Sequence, residues 1–345
     1  MTIPRYWSRD WTPIFIVIAL SVTSPLRCRT TIIVLGRPAF MKSTTDYSFI
    51  DLAKLGRTHW RTTLLTVMLI ASISILGTLG VLMLSGWSLY SSHFRITDLG
   101  KTLVHAGSDP VVCVFGFLIA CKWILHRPFR SLISADLNFS FRRCLFGAAV
   151  FLPANLIALA AMALYASIRY GAWIIPFGHF RQPNGSQIFA ACIAVVGIPF
   201  LAFAEELLFR GWLTQTLRQY VRPPLAVVAI VAMAFAAYHT QYDFHMKVLL
   251  FFASFGFSAL SLRDQRLELA IGAHTMLNIS VALNMLFFTG LPHIQTSVQA
   301  TTFDWVSLVV LKGVLPFALM YWFLQKTDGW FVPNRETRVV DAQQV

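Results

Sequence analysis

Charge is scarce in this 345-residue sequence: only 12% of it is Asp, Glu, Lys or Arg, where an ordinary soluble domain has about a quarter. That shortage excludes a fold wrapped in a water-facing surface. The remaining composition agrees, at 57% hydrophobic with a mean hydropathy of +0.64. Cysteine is sparse too. Cys28, Cys113, Cys121, Cys144 and Cys192 contain no CxxC pair, and most sit in apolar stretches. They read as small buried hydrophobes, which excludes a disulfide frame or a zinc knuckle. Acids are few, fifteen against 28 Lys and Arg, leaving a net charge of +13. That excess does not call for a nucleic-acid partner. The basic residues fall in short loops between apolar runs, where orientation in a membrane accounts for them.

What the sequence does have is long apolar runs. Thr62 to Gly86 and Cys144 to Ile168 are each 25 residues without a charge, and about 20 suffice to cross a hydrocarbon core. Open strands cannot satisfy their backbone groups in lipid, so the expected fold is all-α, a polytopic transmembrane bundle. About eight spans are expected, near 62–86, 106–125, 144–168, 187–217, 224–240, 246–262, 267–290 and 303–324. The fourth is too long to be simple, and Gly197 and Pro199 are the candidates for a kink in it. With the N-terminus inside, fifteen Lys and Arg fall in inner segments and five in outer loops. That asymmetry predicts both termini on the cytoplasmic side, in the inner membrane if the source is bacterial.

Residues 1–40 stand apart. Ile14 to Val22 is apolar but bracketed by Pro13 and Pro25, and is too short to cross. Asp10 and the absence of an A-x-A site make it a poor signal peptide. The expectation is a leader, or a mis-assigned start ahead of Met41, followed by a membrane domain over 41–325 and a cytoplasmic tail over 326–345.

Ionisable residues inside apolar helices are costly and signal function, about 2.5–3.5 kcal/mol for an acid at mid-membrane. Glu205 and Glu206 follow seventeen residues without a charge. Glu206 and Arg210 are i and i+4 with the acid first, the favoured orientation for a pair. Glu205 projects about 100° away and is left free. Phe235 and His239 share one helix face, as do His274 and Asn278. A free carboxylate, two imidazoles and a carboxamide could therefore converge from three helices. Singly, each has a plain packing reading.

In order, Glu205-Glu206-Leu-Leu-Phe-Arg210, Phe235-Ala-Ala-Tyr-His239 and His274-Thr-Met-Leu-Asn278 match EExxxR, FxxxH and HxxxN. This resembles the CPBP family, the type II CAAX prenyl endopeptidases and their bacterial relatives, also called the Abi family. The resemblance implies an intramembrane endopeptidase acting on a membrane-associated protein or peptide, CAAX-type and prenylated in some relatives. It further implies a glutamate-protease mechanism. Glu205 and His239 would activate water, His274 and Asn278 would hold the oxyanion, and Glu206, Arg210 and Phe235 would support them. No cofactor is required in that reading. A rival one places zinc on Glu205, His239 and His274, a legitimate metalloprotease set although HExxH is absent. Outside catalysis, the alternatives are a non-catalytic scaffold or bacteriocin self-immunity protein and, last, a proton-coupled transporter. The expected partners are membrane lipid and a membrane-associated substrate. Counting from span ends puts Glu205 at ~18 Å, His239 at ~22 Å and His274 at ~10 Å depth, so convergence needs shifted helices.

Overall fold

The structure, a computed structural model, describes residues 47–84, 109–170, 180, 182–288 and 301–327. The expected leader and most of the tail lie outside the described residues. Eight helical segments follow the eight apolar runs. They are α1 (Trp60–Leu84), α2 (Asp109–Ala120), α3 (Phe141–Tyr170) and α4 (Gly185–Glu206), then α5 (Pro224–Tyr238), α6 (Phe244–Asp264), α7 (Glu268–Phe287) and α8 (Thr302–Leu308). Three continue beyond those bounds through π-helical turns. α2 runs on through Cys121–Leu125, α4 through Leu207–Leu213 into Thr214–Leu217, and α8 through Val309–Val314 into Leu315–Thr327. Among the described residues there is no strand, only isolated bridges pairing Ser134 with Arg266 and Phe180 with Phe288.

Among the described residues, four helices are long and apolar enough to cross a membrane, or five if the bent α4 is one span. Large apolar side chains stay exposed along them, including Met68, Ile75, Ile168 and Phe244. Such a surface suits hydrocarbon and not water. The chain is an integral membrane protein. The α4 bend, 40°, falls between Ile193 and Val195, ahead of the expected Gly197–Pro199 hinge, and Pro199 stays inside the helix.

Capping residues set several helix starts. Asn184 and Gln187 form a reciprocal capping box at α4, Thr301 and Asp304 another at α8, and Asp243 accepts from the Met246 N–H at α6. Pro223 and Pro224 open α5, where a missing N–H costs nothing. α6 ends where Gln265 adopts a left-handed φ of 57°.

The packing that positions the site is α3 on α7 and α4 on α7. At the first, glycine is required. A Cβ on Gly272 would lie 2.0 Å from the Cys144 carbonyl oxygen, and one on Gly147 would lie 2.6 Å from that of Leu269. The two backbones touch, as small residues allow in membrane helices. The last turns of α4 do not end at a free surface. Leu207, Phe209, Trp212 and Gln215 are buried, enclosed by the short helices Phe49–Leu55 and Phe129–Leu132. Gln215 donates to the Ser131 carbonyl and accepts from Arg127.

Candidate active site

The buried interior of α4, α5, α6 and α7 carries one polar chain. Glu206, fully buried, accepts through Oε1 from Arg210 Nη1 at 3.0 Å. This is the i, i+4 pair expected from sequence. The same oxygen lies 2.8 Å from His274 Nδ1 on α7. An ionised carboxylate can only accept, so Nδ1 carries the hydrogen and the tautomer is set. Arg210 Nη2 donates to the Ser254 carbonyl (3.1 Å) and hydroxyl (2.7 Å) on α6. Its guanidinium sits 4.7 Å from the Phe235 ring centre and 5.2 Å from that of Phe257, a desolvated cation between aromatic faces. Phe257 also stacks on the His274 ring at 4.6 Å.

With Nδ1 held by Glu206, His274 Nε2 is turned to Glu205 and stands 3.4 Å from its Oε2. That carboxylate oxygen is buried and meets no hydrogen-bond donor of the protein. Glu205 itself is 14% exposed, so it faces a gap and not the packed interior that holds Glu206. The switch from α to π geometry begins immediately after Glu206. Such insertions re-aim side chains and recur at functional sites.

His239 is the last residue of its motif but not part of the helix. It caps α5 with φ −81° and ψ 71°. Its Nδ1 donates to the Phe235 carbonyl at 2.8 Å, which leaves Nε2 as the free lone pair. Its ring lies against Phe235 (4.5 Å between centres), and Phe235 in turn meets His274 (6.0 Å). Asn278 stands one turn beyond His274, half-buried.

The structure thus brings Glu205, Glu206, Arg210, Phe235 and His274 into one cluster, with His239 across the Phe235 ring. It does not assemble the zinc set. Among the described residues no three His, Cys, Asp or Glu side chains are disposed to hold a metal ion. His274 Nε2 and Glu205 stand close together, but His239 lies across the Phe235 ring from them, so the three side chains do not gather around one point. Sequence reasoning missed Ser254 and Phe257. A signal was present: Ser254, Ser258 and Ser261 recur at helical spacing in an apolar run, and all three are buried.

An acid–imidazole cluster buried among apolar helices is costly to keep, which makes it the candidate functional site. Residues 186–280, which contain the whole cluster, match the family described as type II CAAX prenyl endopeptidase Rce1-like. Over those residues the chain is similar to the CPBP, or CAAX protease, family, whose members are peptidases. The uncharacterized protein YyaK of Bacillus subtilis (strain 168) is 23% identical over 305 residues, covering 82% of this chain and 98% of its own length.

Proposed function

We propose that this protein is an intramembrane endopeptidase that hydrolyses a peptide bond of a membrane-associated protein or peptide. The observation that carries the reading is the 3.4 Å approach of Glu205 to a His274 whose other nitrogen is fixed by a buried Glu206–Arg210 pair. Glu205 accepts the proton of the attacking water. Its side chain is 14% exposed toward the gap, and its buried oxygen makes no hydrogen bond to the protein. Doubly protonated, His274 donates from Nε2 to the carbonyl oxygen, and Glu206 balances the charge of the imidazolium. Asn278, one turn on, supplies a second donor to the same oxygen. His239, with its open Nε2, relays the proton to the leaving amine. Every step uses side chains of this chain alone.

Beside the cluster, an apolar cavity of about 570 Å³ lies between α2, α3, α4 and α7, lined by Phe115, Leu145, Pro199, Phe203, Ile271 and Thr275. Its size suits a lipid-sized group, and we assign it to the substrate's membrane anchor, prenyl where the substrate is of CAAX type. All eight helical segments are taken as crossings, with both termini cytoplasmic, on the strength of the loop-charge asymmetry.

The test compares membrane proteomes of cells carrying the wild-type protein or Glu205→Ala. C-terminal fragments that disappear in the variant support the proposal. Identical C-termini in both strains, with a phenotype intact in Glu205→Gln, would mean that the protein acts as a scaffold or immunity factor.

A further inference from the structure

A second groove, of about 630 Å³, runs along the other side of the bundle between α6 and α8. Its walls are Phe251, Phe252, Phe255, Phe317, Tyr321 and Trp322. Its floor is made by absent side chains, Gly256, Ala259, Gly313 and Ala318. Gly256 lies flat against Phe317, since a Cβ there would come 2.3 Å from the ring. The two helices run in the same direction here, so their C-terminal ends share one end of the groove.

That end is polar and positive. Gln325 closes it, Arg263 lies 5.3 Å over the Tyr321 ring, and exposed Lys326 follows in the last turn of α8. A helix C-terminus favours a cation through its dipole alone. Here two such ends and their cations flank one apolar slot. The adjacent acid, Asp264, is itself paired with Arg143. Tyr321 and Trp322 are the ring types that settle at the boundary between hydrocarbon and headgroup.

We propose that this groove is a binding site for one anionic glycerophospholipid, with an acyl chain along Phe252, Gly256 and Phe317 and its phosphate between Arg263 and Lys326. Basic pockets between membrane helices take anionic headgroups in this way, and the apolar slot adds an area-proportional term for the chain. The site is independent of the peptidase reading. It backs onto that cluster all the same: Phe317 packs edge-on against Phe257 at 4.9 Å, and Phe257 stacks on His274.

The experiment is native mass spectrometry of the full chain in mild detergent, titrated with phosphatidylglycerol or with phosphatidylcholine of the same acyl chains. One bound phosphatidylglycerol should survive where phosphatidylcholine does not. Lys326→Gln and Arg263→Gln should each weaken phosphatidylglycerol binding about fivefold. Ala318→Trp, at an exposed position on the groove floor, should remove the bound phosphatidylglycerol while circular dichroism still reports a helical protein. Equal retention of the two lipids by the wild type would overturn the proposal. So would phosphatidylglycerol binding that is indifferent to all three variants, binding of glycerol phosphate without chains, or a second copy of the chain, in place of lipid, lost on Ala318→Trp.

Discussion

Two regions of this protein are built from the same side chains and differ in how completely they close. At one end of the bundle, Arg266 donates to both oxygens of Glu268, to Asp136 and to the Asn138 carbonyl. Glu268 also accepts the Ser140 N–H, and Arg143 pairs with Asp264. None of these carboxylate oxygens is left as a buried atom without a donor. In the interior cluster, Glu205 Oε2, Glu206 Oε2 and Arg210 Nε are all buried without a hydrogen-bond partner. A closed network fastens loops, here joining α3 to the α6–α7 turn. An open one retains unspent hydrogen-bonding capacity at high cost. That difference, more than the mere presence of buried acids, marks the interior cluster as the place where a third party is handled.

The sharpest way to break the comparison is to change the open cluster without altering its shape. Glu205→Gln is expected to lower cleavage of the wild-type substrates by about 10²–10⁴-fold, the usual contribution of a positioned general base. Because Glu205 meets no protein donor, its thermal unfolding should be nearly unchanged. A large loss of stability would place Glu205 in a closed structural network instead. Arg210→Ala should do the reverse as well, stripping a fully buried Glu206 of its counter-charge at a cost of about 3–5 kcal/mol, read by unfolding in detergent. Arg266→Gln in the closed network should cost less, about 1.5–3 kcal/mol, since Gln can still donate to Glu268 and the side chain is partly solvated. Gly272→Ala comes next, at about 1–3 kcal/mol from overpacking against the Cys144 carbonyl. It should lower activity beyond its effect on folding, because His274 is two residues away on the same helix.

The helices were legible because lipid imposes a crude rule, and the apolar runs obeyed it. Each of the eight apolar runs is helical among the described residues, and four or five of those helices are long enough to cross. The motifs were legible because i, i+4 spacing is a helix property, and Glu206–Arg210 followed it. Contacts between helices were not. Nothing in the spacing says that Glu206 takes a second partner 68 residues on, or that Ser254 anchors Arg210 from α6. The π-helical turns were equally invisible, since they change the register that the i, i+4 argument assumes. His239 shows a different limit of that argument, since α5 ends at Tyr238 and His239 stands beyond its last turn and not on its face. Lys312, on the π-helical turn of α8, escaped notice inside an apolar run. It is half-buried and makes no ion pair among the described residues.

The smallest expected effect is a pH dependence confined to the closed region. Partial burial raises the Asp136 carboxyl. The hydrogen bond from Ser134 and the Arg266 charge outweigh that and hold it below the usual carboxylate range. A depressed carboxylate contributes stability that is fully present above its unfolded value, near 3.9, and is lost as pH falls through the lower folded value. The wild type should therefore lose a small increment of unfolding stability below about pH 4 that Asp136→Asn lacks. The increment stays small because nearly half of the Asp136 side chain, 46%, is exposed to screening solvent. If wild type and Asp136→Asn unfold in parallel from pH 6 to pH 3, the Asp136–Arg266 contact is not fastening the loop. The region would then lose its standing as the closed counterpart of the site.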